Sequence, residues 1–132
     1  MKAIDLNIKI SDLQLGPEEK KLKGFEMTKR YFELAFGLYQ AQPDARGQPR
    51  GLPVADQRKI YKIIDALENA KDKVELEDDW FDFLYQVFNE VKWVGGTKII
   101  VRIADRLDEA KLREEEPEKP KKPKLKNVES AK

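Results

Sequence analysis

The chain of 132 residues contains no cysteine and no histidine. Their absence excludes disulfides, thiolate nucleophiles and every metal site that needs thiolate or imidazole ligands. A Ser–His–Asp triad is excluded as well, because its proton carrier is missing. Serine and threonine, the hydroxyl nucleophiles, occur only twice each. Catalysis would have to rely on carboxylates, lysine or tyrosine, so we expect a protein that is not an enzyme and holds no cofactor.

A dominant charge and a long apolar segment are also lacking. The 26 basic and 25 acidic side chains leave a formal net charge of +1, so no global field attracts the chain to nucleic acid or to an anionic membrane. No segment approaches the ~20 apolar residues of a membrane-spanning helix. The alternating N-terminus does not resemble a secretory signal. We therefore expect a cytoplasmic protein without a membrane partner.

Within the N-terminal residues 2–10, isoleucine or leucine at positions 4, 6, 8 and 10 alternates with the polar residues Asp5, Asn7 and Lys9. This period of two predicts a half-buried β-strand. A strand needs a pairing partner, and the chain offers two short candidates, residues 73–77 and the β-branched run 99–101. If neither pairs with it, the strand is an open edge that another chain could join.

The helical spacing of apolar residues predicts four helices. Residues 16–19, Gly-Pro-Glu-Glu, are typical of a helix start, with proline at the first position and acidic residues in the first turn. The helices are expected at 17–41, 54–71, about 77–94 and 97–115, the last capped by Thr97. Residues 42–53, with three prolines and two glycines, are predicted to form a loop. The run 98–103 also fits a strand, and periodicity alone leaves both interpretations open.

The first predicted helix has two apolar stripes. One comprises Leu22, Phe25, Phe32, Phe36 and Tyr39. The second lies on roughly the opposite side and comprises Met27, Tyr31, Leu34 and Leu38. A surface helix needs only one such stripe, so this helix is either central in the fold or shared with a partner. Gly37, which weakens the helix, is explained if it allows close packing against a neighbour. We predict that the second stripe contacts a protein partner or a second copy of the chain.

Aromatic residues are concentrated in the third predicted helix. Trp80, Phe81 and Phe88 have the spacing of core residues. Trp93 lies near the helix end on the far side, and tryptophan often anchors protein interfaces. We therefore add Trp93 to the predicted partner-binding residues.

The last residues, 116–132, contain almost no large apolar side chains, and their lysines alternate with prolines. This composition predicts a disordered tail after a single helical domain of residues 1–115. Five lysines of the tail, together with Arg46 and Arg50 of the Pro/Gly-rich loop, could neutralise phosphates; these lysines are Lys119, Lys121, Lys122, Lys124 and Lys126. The tail has no arginine and no aromatic residue, so it offers neither base readout nor stacking.

These observations predict a mainly α fold, with about four helices in a small bundle, an N-terminal strand and at most a minimal sheet. The expected function is that of a non-catalytic interaction factor: an adaptor, an inhibitor or an assembly accessory protein that uses helix 17–41. Small virus-encoded accessory proteins often have this profile, which is an association and not an argument from chemistry. The alternative is a nucleic-acid-associated regulator that uses the lysine-rich tail and the two loop arginines.

Overall fold

The computed structural model of the chain describes the backbone of residues 1–115 and the side chains of residues 1–112. The predicted tail, residues 116–132, lies outside this part, so its disorder stays a prediction. The elements follow in the order β1 (Lys2–Asp5), α1 (Gly24–Ala41), α2 (Val54–Glu68), β2 (Lys73–Leu76), α3 (Asp78–Glu90) and α4 (Thr97–Glu115). A single 3₁₀ turn, Glu19–Lys21, precedes α1. The expected mainly α fold with an N-terminal strand is confirmed.

The two strands form an antiparallel pair in which Lys2 lies opposite Leu76 and Asp5 opposite Lys73. Of the two candidate partners for the N-terminal strand, the segment 73–77 is therefore the one that pairs with it, while the predicted strand length of 2–10 is wrong. Pairing ends early because β2 has only four residues, although the N–H of Leu6 still donates to the carbonyl of Asp72 at 2.8 Å. Burial continues to alternate as far as Ile8, and α4 packs against β1.

Helix α1 begins at Gly24, seven residues later than predicted. Its first turn is capped by Glu26, whose carboxylate accepts the N–H of Lys23 at 2.8 Å. A tertiary contact determines the position of this start. A Cβ atom on Gly24 would lie 2.2 Å from the carbonyl oxygen of Ile8, so only glycine fits where the helix meets the segment after β1. Of the two acidic residues after Pro17, Glu18 is instead the N-cap of the 3₁₀ turn and Glu19 its first residue.

The run 98–103 is helical and belongs to α4. Four of the residues that α4 buries recur at intervals of three or four: Ile99, Ile103, Leu107 and Ala110. The carbonyl of Gly96 accepts the N–H of Ile100 at 2.9 Å, so Gly96 occupies the cap position and Thr97 is the first helical residue, not the predicted cap. Gly96 has a φ of +66°, which favours glycine at this turn.

The other two helices are shorter than predicted. Helix α2 ends at Glu68 and not at 71, and the N–H of Asn69 closes its last turn on Asp65. Helix α3 ends at Glu90, because Val91 is already extended. The shortening leaves Val91 buried and places residues 92–96 in the connection to α4.

The core lies between α1 and α3 and extends under the sheet. The rings of Phe32 and Phe88 meet edge to face, with centroids 5.8 Å apart. Phe81 and Phe88 are buried as predicted, whereas Trp80 is half-buried and packs against the core. The side of α1 that carries Phe32 therefore packs into the core.

Candidate protein-interaction surface

The opposite side of α1 carries an exposed apolar strip. Leu34 is 45% exposed and Leu38 is 42% exposed. They line a shallow groove together with Arg30, Glu33 and Gly37. We call these five residues the α1 outer face. All five belong to one helix, so the groove is a depression in the surface of α1 and not a cleft between elements.

Gly37 lies in the middle of this face, and the fold gives no reason for it. A Cβ atom built on Gly37 has nothing within 4 Å. In the interior of a helix, glycine costs about 1 kcal/mol relative to alanine. Two other glycines that contact α1 or belong to it are explained by close packing. A Cβ atom on Gly24 would lie 2.2 Å from the carbonyl oxygen of Ile8, and one on Gly96 would lie 3.0 Å from the hydroxyl of Tyr31. The open position of Gly37 can thus accept the backbone or side chain of another molecule.

Met27, predicted to contact a partner, is a core residue. It is fully buried, so no partner reaches it in this structure. The first turns of α1 lie against the segment that follows β1, where the Thr28 hydroxyl donates to the carbonyl of Leu6 at 2.6 Å. Sequence periodicity placed Met27 and Leu34 on one stripe, but the contacts of this segment at Gly24 and Thr28 lie in the first two turns of the helix. The prediction for Met27 is corrected accordingly.

Tyr31 and Trp93, the two predicted aromatic contacts, are half-buried and lie against each other. Their ring centroids are 5.7 Å apart, and the Trp93 ring is 5.1 Å from that of Phe88. The indole N–H of Trp93 donates to the carbonyl of Phe88 at 3.2 Å. Burial raises the pKa of the Tyr31 phenol. These contacts tie α1 to the connection between α3 and α4, so both rings have a role within the fold.

The loop arginines differ from each other in their surroundings. Arg50 stacks on the ring of Tyr39, with 4.5 Å between the guanidinium carbon and the ring centroid, and lies 3.8 Å from the carboxylate of Glu90. The Tyr39 hydroxyl donates to the same carboxylate at 3.2 Å, and burial raises the pKa of Tyr39. Arg46 is 84% exposed, with Asp44 at 3.7 Å. The five tail lysines lie outside the described residues, so the predicted nucleic-acid surface is not assembled within residues 1–115.

The Pro/Gly-rich loop is more ordered than its composition predicts. The carboxylate of Asp44 accepts the N–H groups of Arg46 and Gln48 at 2.8 and 3.0 Å. Pro43 and Pro49 face each other in an isolated β-bridge. An aspartate whose side chain accepts the N–H two residues further along the chain, with a glycine following in the loop, is a known signal for a turn. The loop thereby brings Arg50 back to Tyr39 at the end of α1.

A polar cluster that the sequence did not predict connects α4 to the segment after β1 through hydrogen bonds. Arg102 binds the Asp12 carboxylate with both terminal nitrogens, at 2.9 and 2.8 Å, and also donates to the carbonyl of Lys9. One turn later, Arg106 donates to the carbonyl of Asn7 at 2.9 Å. The hydrogen bonds from Arg102 hold the pKa of Asp12 well below its usual range. The only sequence signal is the spacing of two arginines by four residues on α4.

Within the described residues, no three acidic side chains converge on a point where they would hold a metal ion. Across residues 1–115, no helix combines the length and the apolar character needed to cross a membrane. Comparisons of the chain with models of protein families, with curated proteins and with solved structures give no significant match.

Proposed function

We propose that this protein is a non-catalytic interaction factor that binds a partner protein through the α1 outer face. Such a factor acts as an adaptor, an inhibitor or an assembly accessory protein. The observation that carries the proposal is the open position at Gly37 between the two exposed leucines, Leu34 and Leu38. The composition supports it, because the chain has neither histidine nor cysteine for common catalytic or metal chemistry.

Single exposed leucines are ordinary on a protein surface and need no explanation. Here two of them lie one turn apart and flank a glycine that weakens its helix without a role inside the fold. Glycine permits close approach of another backbone, since it has no Cβ. Together the three residues fit the docking of an amphipathic helix, whose apolar side chains enter a groove at helical spacing.

The charged residues of the face define the rim of the surface. Arg30 and Glu33 line the same groove on the turn before Gly37, and neither forms an ion pair within the described residues. A polar rim around an apolar centre is the usual arrangement of a protein interface. We therefore expect a partner helix with an apolar stripe and with charges of both signs beside it.

The test uses matched charged substitutions in two exposed aliphatic residues. Leu34→Glu changes the α1 outer face, and Val101→Glu changes an exposed valine in the second turn of α4. Tagged wild type and both variants are used to capture proteins from extracts of the source cell. We expect partners that wild type and Val101→Glu retain and that Leu34→Glu loses, with all three chains folded by circular dichroism. Capture that is unaffected by Leu34→Glu would exclude the α1 outer face as the binding surface.

A further inference from the structure

Strand β2 has an outer edge that is not occupied within the described part of the chain. The sheet of residues 1–115 has two strands, so β1 covers one side of β2 only. The Leu6 N–H bonds to the Asp72 carbonyl, and the register makes Val74 and Leu76 the residues that bond back to β1. The N–H and C=O groups of the alternate residues, Lys73 and Glu75, therefore point away from β1.

Backbone groups at such an edge are a template for a further strand. Among residues 1–115, no hydrogen bond satisfies the outward N–H and C=O groups of Lys73 and Glu75. The side chains of both residues are exposed, while those of Val74 and Leu76 face the core. A strand added here would meet a polar outer surface on one side and the apolar layer on the other.

The charges along this edge are complementary to those on the same edge of a second copy of the chain. Residues 71–77 read Lys-Asp-Lys-Val-Glu-Leu-Glu, with two lysines before Val74 and two glutamates after it at mirrored spacing. In an antiparallel pairing with Val74 opposite Val74, Lys73 of each copy lies opposite Glu75 of the other. Lys71 and Glu77, which flank β2, have the same opposite charges at the next positions of this register. Opposite charges directly across a pair of strands are stabilising, and like charges are destabilising.

The backbone requires the same register. In an antiparallel pair, the residues whose N–H and C=O groups face the partner must lie opposite each other. With Val74 opposite Val74, the outward groups of Lys73 meet those of Glu75 from the second copy, and each pair exchanges two hydrogen bonds. A shift by one residue sets outward groups against inward ones. A shift by two residues sets Lys73 against Lys73 or Glu75 against Glu75, so like charges face each other.

We propose that the outer edge of β2 is a homodimer interface. Two copies pair their β2 strands antiparallel about a twofold axis at Val74 and form a four-stranded sheet in the order β1–β2–β2–β1. The occupant of the edge is a second copy of this chain, because the charge pattern is complementary to itself. This interface is separate from the α1 outer face, so self-association and binding of a partner protein can be tested independently.

The test reverses charges singly, together and in a mixture. Lys73→Glu and Glu75→Lys each turn two attractive cross-strand pairs into repulsive ones, so each variant should dimerise at least about tenfold more weakly than wild type. The double variant restores opposite charges and should recover the dimer. A mixture of the two single variants should form a one-to-one dimer, because both central cross-strand pairs then join a glutamate to a lysine. Sedimentation equilibrium at low ionic strength measures the mass against the 15.4 kDa of one chain.

Control variants test whether a change in the measured mass arises at this edge. Lys73 also lies opposite Asp5 on β1, whereas Glu75 lies opposite Ala3, so Glu75→Lys tests the dimer without adding a like charge across the intramolecular pair. Leu34→Glu on the α1 outer face should leave the dimer intact. A wild-type chain that is monomeric at about 1 mM would overturn the proposal. Single reversals that leave the mass unchanged, a mixture that stays monomeric, or a dimer abolished by Leu34→Glu would overturn it as well.

Discussion

The hydroxyl of Thr28 donates a 2.6 Å hydrogen bond to the carbonyl oxygen of Leu6, and both residues are fully buried. The bond joins the first turns of α1 to the segment directly after β1. Beside it, Gly24 packs against the backbone of Ile8. These contacts determine where α1 begins, and they decide which of its apolar residues are covered by the chain.

Removal of the Thr28 hydroxyl should therefore destabilise the protein. Thr28→Val keeps the shape but leaves the buried Leu6 carbonyl without this donor, which should lower the free energy of unfolding by about 1–3 kcal/mol. Thr28→Ser keeps the hydroxyl and should cost less, about 0.8 kcal/mol for the lost methyl group. Urea unfolding followed by circular dichroism compares the two variants. Equal stability of Thr28→Val and wild type would show that the bond makes no net contribution.

The two glycines of α1 should respond to alanine in opposite directions. Gly24→Ala places a Cβ against the Ile8 carbonyl and should destabilise the chain by about 1–3 kcal/mol through overpacking. Gly37→Ala enters open space and should stabilise the helix by about 0.5–1 kcal/mol. Thermal unfolding measures both changes against wild type. A loss of stability in Gly37→Ala would contradict the open position at this residue.

Charge introduced along the second stripe of α1 should separate its core part from its surface part. Met27→Glu buries an unpaired carboxylate and should unfold the protein or cost several kcal/mol. Leu34→Glu places the same group at a position that is 45% exposed and should change stability by less than about 1 kcal/mol. Circular dichroism and melting temperature distinguish the outcomes. Collapse of Leu34→Glu would make the whole stripe part of the core.

The Asp12–Arg102 pair predicts a pH dependence with a defined sign. The pKa of Asp12 in the folded chain lies well below its ordinary value of 3.8, so the unfolded chain binds more protons in acid. The contribution of the pair is thus present above about pH 3.8 and is lost as the pH falls below it. Asp12→Asn should reduce stability near pH 7, and its difference from wild type should shrink in acid. Denaturant unfolding across this range is the measurement, and a difference independent of pH would argue against the pair.

Local patterns in the sequence predicted the helices and the N-terminal strand, and they limited the partner of that strand to two candidates. Alternation at the N-terminus predicted a strand because the side chains of a strand point to opposite faces in turn. Few segments of the chain could serve as its partner, and the structure decides for residues 73–77 over 99–101. Helical spacing predicted α1 to α4, because the buried residues on one face of a helix recur every three or four positions.

The ends of these elements depended on contacts that no local pattern contains. Gly16-Pro17 is a sound local signal for a helix start, yet α1 begins at Gly24, where the chain packs against Ile8. The run 98–103 fitted both a strand and a helix. In the structure this run is helical. Its buried residues lie on one side of α4, and Gly96 directly before the helix has a positive φ. Tertiary packing can override weak intrinsic propensities of about 1 kcal/mol or less per residue.

For the candidate surface, the sequence by itself determined that α1 has more apolar residues than one buried face requires, because spacing along a helix is a local property. Which of them are covered was decided by the tertiary structure. The segment after β1 contacts the first turns of α1 at Gly24 and Thr28, where Met27 is buried, while Leu34 and Leu38 further along the helix remain exposed. Burial depends on which distant residues come to lie against a side chain, and periodicity along one helix contains no information about them.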